Sequence, residues 1–139
     1  MPPELEKRLY YQGIELFNEG EYFEAHEAWE EIWHMAAGPR HAFYQGMIQC
    51  AVALEHYRRG NPRGVRSLYD SYRPKFKDLP GVFMGLEVPQ FLAAMEASLR
   101  PALVAGVVAP VVLDTATVPR IVLMYDPFEN GEAQRLRRG

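Results

Sequence analysis

Apolar side chains recur three or four residues apart along the first third of the chain, a spacing that puts them on one side of an α-helix. One such segment runs from about Pro3 to Asn18, and Gly20 follows at a position where helices commonly end. A second segment runs from about Tyr22 to Ala36 and stops before Gly38 and Pro39. The pattern therefore predicts two helices joined by a short turn.

Three further helices follow in the pattern. The segment from about Arg40 to Arg59 is apolar on nearly all sides, as a central buried helix would be. Asn61 can cap the next helix, which runs from Pro62 to about Tyr72. After a stretch that reads as an irregular connection, residues 76–88, Pro89 opens a fifth helix with one apolar stripe.

The character of the chain changes at Val107, where β-branched residues and three prolines replace the helical spacing. We expect an extended arm packed on the helices, with one short strand or hairpin, and a frayed tail at the end. The predicted fold is an all-α compact bundle of about five helices. The predicted division is a helical bundle, residues 1–106, and a C-terminal arm with its tail on the same domain, residues 107–139.

The two helical hairpins repeat a pattern. Gly13 and Ala53 each stand seven positions before a turn glycine, and Trp29 and Tyr69 each stand nine positions after it. In tetratricopeptide repeats, small residues let two antiparallel helices approach and an aromatic ring fills the gap between them. The echo predicts a bundle made of two tetratricopeptide-like hairpins, with the fifth helix covering an open face.

Composition narrows the classes of protein that remain. Hydrophobic residues make up 48% and charged residues 24% of the 139 positions, as in globular proteins. The single cysteine, Cys50, allows no internal disulfide and no cysteine-based zinc site, and it is expected to be an inert core residue. We find no signal-peptide pattern and no apolar run of roughly 20 residues, so we expect a cytoplasmic protein without a membrane span. The net charge of −3 argues against nucleic-acid binding.

The second helix carries the first candidate chemistry. His26 and Glu27 resemble the start of a His-Glu-x-x-His zinc-protease motif, but Glu30 occupies the place of the second histidine. His26 and Glu30 lie one helical turn apart at the edge of the buried stripe, with Trp33 above them, whereas Glu27 and His34 are expected to face away.

The third helix carries the second candidate feature. Gln45, Gln49 and His56 share a narrow sector of this otherwise apolar helix, and buried amides and imidazoles need hydrogen-bond partners. The hypothesis is that this stripe faces His26 and Glu30, in a polar pocket walled by Trp33 and other aromatic rings. Three alternatives stay open: a satisfied core network, a pocket for a small polar ligand, and a divalent metal site with His26, Glu30 and His56 as ligands.

The motifs together resemble a known family. The phrase "LFNEGEYFEAHEAWEEIW", followed by "FYQGMIQCAVALEHYRRGNPRG", is similar to the bacterial and archaeal family called domain of unknown function 309. The resemblance covers roughly the first three-fifths of the chain. It implies an all-helical bundle and places His26, Glu30, Trp33, Gln45 and Gln49 among the hallmark positions. It implies no activity, and the arm after Val107 departs from it.

Two functions compete at this stage. The first is a ligand-binding or catalytic protein in which His26 acts as base or ligand and Glu30 orients it. The second is an interaction module, in which the hairpins present a groove to a protein partner and the arm from Val107 to Phe128 mediates self-association into a homo-oligomer. The pattern leaves the cofactor, the substrate and any reaction unknown.

Overall fold

A computed structural model describes residues 1–104, 106–107 and 109–138 of the chain; Ala105, Val108 and the tail residue Gly139 lie outside the described residues. The elements in chain order are helices α1 (Pro3–Asn18), α2 (Tyr22–Trp33), α3 (Pro39–Arg58) and α4 (Pro62–Tyr72), strands β1 (Val82–Phe83) and β2 (Leu86–Glu87), and helices α5 (Val88–Leu103) and α6 (Glu132–Arg137). Short 3₁₀ turns cover Arg73–Phe76 and Thr115–Thr117. The prediction of an all-α bundle is confirmed, and its five helices lie within three residues of their predicted bounds.

The helix ends follow from local chemistry. After α1, Gly20 adopts a φ of +81°, and the Glu21 N–H donates to the Leu16 carbonyl at 2.8 Å. This left-handed glycine lets the chain reverse while satisfying carbonyls that the helix leaves free. At the start of α4, the Asn61 side chain accepts from the Gly64 N–H at 3.1 Å, as its capping role predicts.

The core of the bundle is built around α3, which packs between α2 and α4, while α1 packs on the other side of α2. Trp29 is fully buried, and its indole N–H donates to the Tyr10 carbonyl of α1 at 3.1 Å. Gly13 allows this approach, because a Cβ added there would lie 2.0 Å from Trp29 Nε1. In the second hairpin the Tyr69 hydroxyl donates to Glu96 of α5. The tetratricopeptide-like character of the hairpins stays a prediction.

We expected a strand or hairpin in the arm, but the structure places the strand pair before α5. Residues 76–88, predicted to be irregular, contain β1 and β2 in antiparallel register, with Val82 opposite Glu87 and Phe83 opposite Leu86. The hairpin tip is buried: the Tyr10 hydroxyl donates to the Met84 carbonyl at 2.7 Å, and the Met84 N–H donates to Glu132 at 2.8 Å. Hydrogen bonds to distant residues therefore hold a turn that the local sequence does not predict.

The arm runs across the bundle and is held to it by hydrogen bonds along its length, among them Arg66 to the Val107 carbonyl at 2.8 Å and the Thr117 hydroxyl to Ser98 at 3.0 Å. Asn18 and Ile121 form two reciprocal hydrogen bonds of 2.9 and 2.7 Å, and the Met124 N–H donates to the Gly85 carbonyl at 2.8 Å. The Ile121 side chain is buried. The arm therefore forms one wall of the molecule along α1 and the hairpin.

The tail differs from the prediction, because the residues expected to fray form α6. This helix is tied to the buried carboxylate of Glu6, which Arg137 contacts at 2.5 Å. Glu6 also accepts from Arg40 at 2.6 Å and from the Tyr44 hydroxyl at 2.6 Å, and it has no exposed surface. A buried charge needs such partners, so the basic end of α6 is held against α1 and α3. Among the described helices, none is both long and apolar enough to cross a membrane.

Candidate functional site

The outer face of α2 brings three titratable side chains into one row. His26 Nε2 lies 3.4 Å from one carboxylate oxygen of Glu30, and His34 Nε2 lies 3.6 Å from the other. The 12 residues of α2 form an uninterrupted helix, so residues four apart stand above one another. The His26 side chain is 17% exposed and that of Glu30 is 45% exposed, which leaves the carboxylate open to solvent.

The hydrogen bond of the His26 ring decides what the other ring nitrogen can do. His26 Nδ1 lies 2.5 Å from the Phe23 carbonyl oxygen, which can only accept, so Nδ1 must carry the proton. Nε2 then faces the Glu30 carboxylate with either a second proton or a lone pair. In the first case the ring pairs directly with the carboxylate, and in the second the two acceptors are left to share a donor or a cation from solution.

These side chains border an open groove of about 410 Å³. It is lined by five residues of α2, namely Phe23, His26, Glu27, Glu30 and Glu31, and by His34 directly after the helix. Phe23 is 43% exposed, and its ring lies 4.8 Å from the His26 ring at a tilt of 60°, while the Arg59 guanidinium lies 6.0 Å from the centre of the Phe23 ring. Glu27 and His34, which we expected to face away from His26, border the same groove. The row His26, Glu30, His34 could have been found by counting four residues onward from Glu30.

The aromatic residues near the predicted pocket have structural contacts of their own. Trp33 is half-buried, with its ring 4.8 Å from His34 and 5.2 Å from His41. His41 is half-buried and points Nδ1 at the carbonyls of Trp33 and Ala36, at 3.2 and 3.1 Å. A ring N–H in that position caps the end of α2. Trp33 Nε1 is buried and has no hydrogen-bond partner in the part of the chain that the structure describes.

The predicted stripe on α3 makes different contacts. His56 Nδ1 accepts from the Asn61 amide at 3.1 Å, and its ring lies against Gly64, where an added Cβ would approach it to 2.6 Å. His56 therefore packs on the turn between α3 and α4. Gln45 and Gln49 are half-buried, and Gln49 Oε1 is buried without a partner among the described residues. No hydrogen bond within residues 1–104, 106–107 and 109–138 joins these three side chains to His26 or Glu30.

The donor sets limit what the site can hold. Within the described ranges, no group of three or more His, Cys, Asp and Glu side chains is arranged to hold a metal ion. His26 and His34 approach opposite oxygens of the Glu30 carboxylate, so each histidine makes a separate pair with Glu30. Cys50 is fully buried, and burial raises the pKa of its thiol well above the ordinary value, which agrees with an inert core residue.

Comparison with known proteins supports the resemblance over the first half of the chain. The model of a family described as "Domain of unknown function (DUF309)" matches residues 10–68, a range that holds all the predicted site residues. A protein of Aquifex aeolicus (strain VF5), named "Uncharacterized protein", is 26% identical over 92 residues, which are 66% of this chain and 28% of that protein.

A second relative is more similar over a shorter stretch. The "Uncharacterized protein YpuF" of Bacillus subtilis (strain 168) is 41% identical over 56 residues, which are 40% of this chain and 32% of that protein. The matches thus span less than a third of the length of either relative. The activity of a whole relative is therefore no guide to this chain beyond the shared helices.

Proposed function

We propose that this protein binds a cation on the outer face of α2, held between His26 Nε2 and the Glu30 carboxylate. The observation that carries the proposal is the hydrogen bond of His26 Nδ1 to the Phe23 carbonyl, since it leaves Nε2 facing the carboxylate 3.4 Å away. Metal-binding histidines commonly donate their other ring N–H to a backbone carbonyl in this way.

Two kinds of cation offer what these acceptors require. A divalent transition metal would take Nε2 and a carboxylate oxygen as two ligands and water as the others. A small ligand with a guanidinium or ammonium group would donate N–H bonds to the same two atoms, and the exposed ring of Phe23 would contact its flat face. The three glutamates of the groove favour either cation over an anion.

We propose a site with fewer residues than the sequence predicted. His26 and Glu30 hold the cation and Trp33 supports the end of α2, while Gln45, Gln49 and His56 contribute to packing on α3. Support for this division comes from the contacts of His56 with Asn61 and Gly64. Whether any chemistry follows binding depends on the ligand.

Calorimetric titration tests the proposal, with zinc and manganese in one series and the guanidinium compound agmatine in another. We expect one saturable site in the wild type and a loss of affinity of roughly tenfold or more in Glu30→Gln, as for one charge-assisted bond. Glu24→Gln is the matched control, because Glu24 is exposed on the same helix outside the groove. Binding of neither cation class, or an equal loss in both variants, would contradict the proposal. The series that saturates identifies the cation.

A second function has an observation of its own in its favour. Among the described residues of the arm, three large apolar side chains are exposed: Val112, 91% exposed; Val122, 70% exposed; and Met124, 60% exposed. Exposed apolar side chains on a segment fastened to the bundle are consistent with self-association through the arm, in a protein of tetratricopeptide-like hairpins. Light scattering of the wild type and of a Val122→Asp, Met124→Asp double variant tests this reading. It predicts an oligomer that the double variant dissociates, and a monomeric wild type would contradict it.

A further inference from the structure

A second cavity lies on another side of the molecule, where the turn between α1 and α2 meets the C-terminal arm. Its volume is about 390 Å³. One wall is the turn, with Asn18 and Gly20, and the aromatic ring of Tyr22. The opposite wall is the arm, with Thr115 and Arg120, and Arg58 projects from the end of α3. We call this cavity the arm cleft.

Arg58 is fixed in place in the arm cleft. Its guanidinium donates to the Gly20 carbonyl at 3.1 Å, pairs with Glu55, and lies 5.8 Å from the centre of the Tyr22 ring. The Glu55 carboxylate is shared, because Arg59 also donates to it at 2.6 Å. One carboxylate thus faces two guanidinium groups, and this cluster retains one positive charge.

Arg120 brings a second guanidinium to the same cleft. It is exposed, and the ion pairs of the described residues leave it without a carboxylate within 4 Å. Two acids border this region: Glu19, an exposed residue that lines the arm cleft itself, and Glu87, which lines a separate depression beside Arg120. Exposed charges at a rim are screened by solvent and neutralise a neighbour only weakly.

We propose that the arm cleft binds a small anion bearing a carboxylate or phosphate group, held between Arg58 and Arg120. Guanidinium groups match both kinds of anion with paired N–H bonds, and the Thr115 hydroxyl offers a further donor at the arm. The cavity has room for a small organic acid, because its volume falls in the range of small-molecule sites. The proposal stands apart from the cation site on α2, since the two share no residue.

Anion binding also links the arm to the bundle. Arg120 belongs to the arm, directly before Ile121, which Asn18 holds through two hydrogen bonds. Arg58 belongs to α3, so an anion between the two arginines would bridge arm and bundle. Ligand that binds only the docked arm stabilises that state by mass action. We therefore expect slower amide exchange in residues 117–124 when the anion is present.

The experiment is a titration of the intact chain at constant ionic strength, with inorganic phosphate in one series and malonate in the other. We expect at least one of them to saturate a single site, and Arg120→Gln to weaken that binding by roughly tenfold, as loss of one charge-assisted contact would. Arg63→Gln is the matched control, because Arg63 is also exposed and lies outside the arm cleft. Its affinity should equal that of the wild type.

The outcomes separate cleanly. Saturation that depends on Arg120 but not on Arg63 supports the proposal, and the series that saturates tells whether a phosphate or a carboxylate is preferred. Equal weakening in the two variants would show only general charge attraction and would overturn it, as would the absence of saturation with both anions. Within the described ranges the Arg120 side chain has no ion pair with a carboxylate, and far-ultraviolet circular dichroism of the variant checks that the helices persist.

Discussion

Replacing Gly13 by alanine would put a methyl group where the indole ring of Trp29 lies. The added Cβ would lie 2.0 Å from Trp29 Nε1 and 2.5 Å from Cδ1 and Cε2, so the ring must move. Overpacking of this kind costs about 1–3 kcal/mol, and losing the bond from Nε1 to the Tyr10 carbonyl adds about 1–3 kcal/mol. The better helix propensity of alanine returns about 1 kcal/mol. We expect a net loss of about 3 kcal/mol in the free energy of unfolding.

Urea unfolding followed by circular dichroism measures this loss. Gly81→Ala is the matched control, because Gly81 has ordinary backbone angles and nothing within 4 Å of an added Cβ. The control should be neutral or slightly more stable, since alanine restricts the unfolded chain. If Gly13→Ala unfolds within about 0.5 kcal/mol of the wild type, the packing of α1 on α2 described here would be wrong.

Three further predictions concern the contacts that close the molecule. Glu6→Gln should lower the free energy of unfolding, measured by urea titration, by about 3–5 kcal/mol, because Arg40 and Arg137 would lose a buried counter-charge. The control Glu4→Gln, at an exposed position of the same helix, should change it little. Asn18→Ala should speed amide exchange around Ile121 and leave the exchange rates of α3 unchanged. Equal exchange around Ile121 in the wild type and the variant would show that other contacts hold the arm. Burial raises the pKa of Tyr10 and Tyr44 well above the ordinary value of about 10, so the native state keeps protons that the unfolded state loses. Stability should therefore be full below pH 10 or so and fall as the pH rises further, and urea midpoints that stay flat across that interval would contradict this.

Helical periodicity and end signals were enough to predict α1 to α5. Gly20 and Pro62 mark their helix boundaries by backbone chemistry that acts locally, so they can be read from the sequence. The end of α2 is less well predicted. We expected the helix to reach Ala36, but it ends at Trp33, and His41 of α3 caps the carbonyls beyond it.

The β-hairpin and α6 depend on distant residues, which is why the sequence does not reveal them. Met84 adopts a φ of +51°, unusual for a residue with a side chain, and it is held there by Tyr10 and Glu132. In α6, Arg137 is held by Glu6, 131 positions earlier in the chain. Neither contact leaves a periodic signal.

The candidate site shows the same division between local and distant contacts. His26 and Glu30 lie 3.4 Å apart because they belong to one helix and stand one turn apart, a relation that can be read from the sequence. The expected approach of His56 required knowing how α3 is rotated against α2, and His56 instead contacts Asn61 and Gly64 on its own hairpin. Rotation about a helix axis is set by packing of the whole core, which no short motif encodes.

The central claim is that His26 offers a free Nε2 to a cation shared with Glu30. Long-range proton–nitrogen correlation spectra of the histidine rings, recorded with and without zinc, test it most directly. We predict that Nδ1 of His26 carries the proton in both spectra, that zinc shifts Nε2 of His26, and that His41 and His56 are unaffected. A spectrum that places the only proton of the His26 ring on Nε2 would contradict this claim. So would a His26 ring whose signals neither zinc nor agmatine changes.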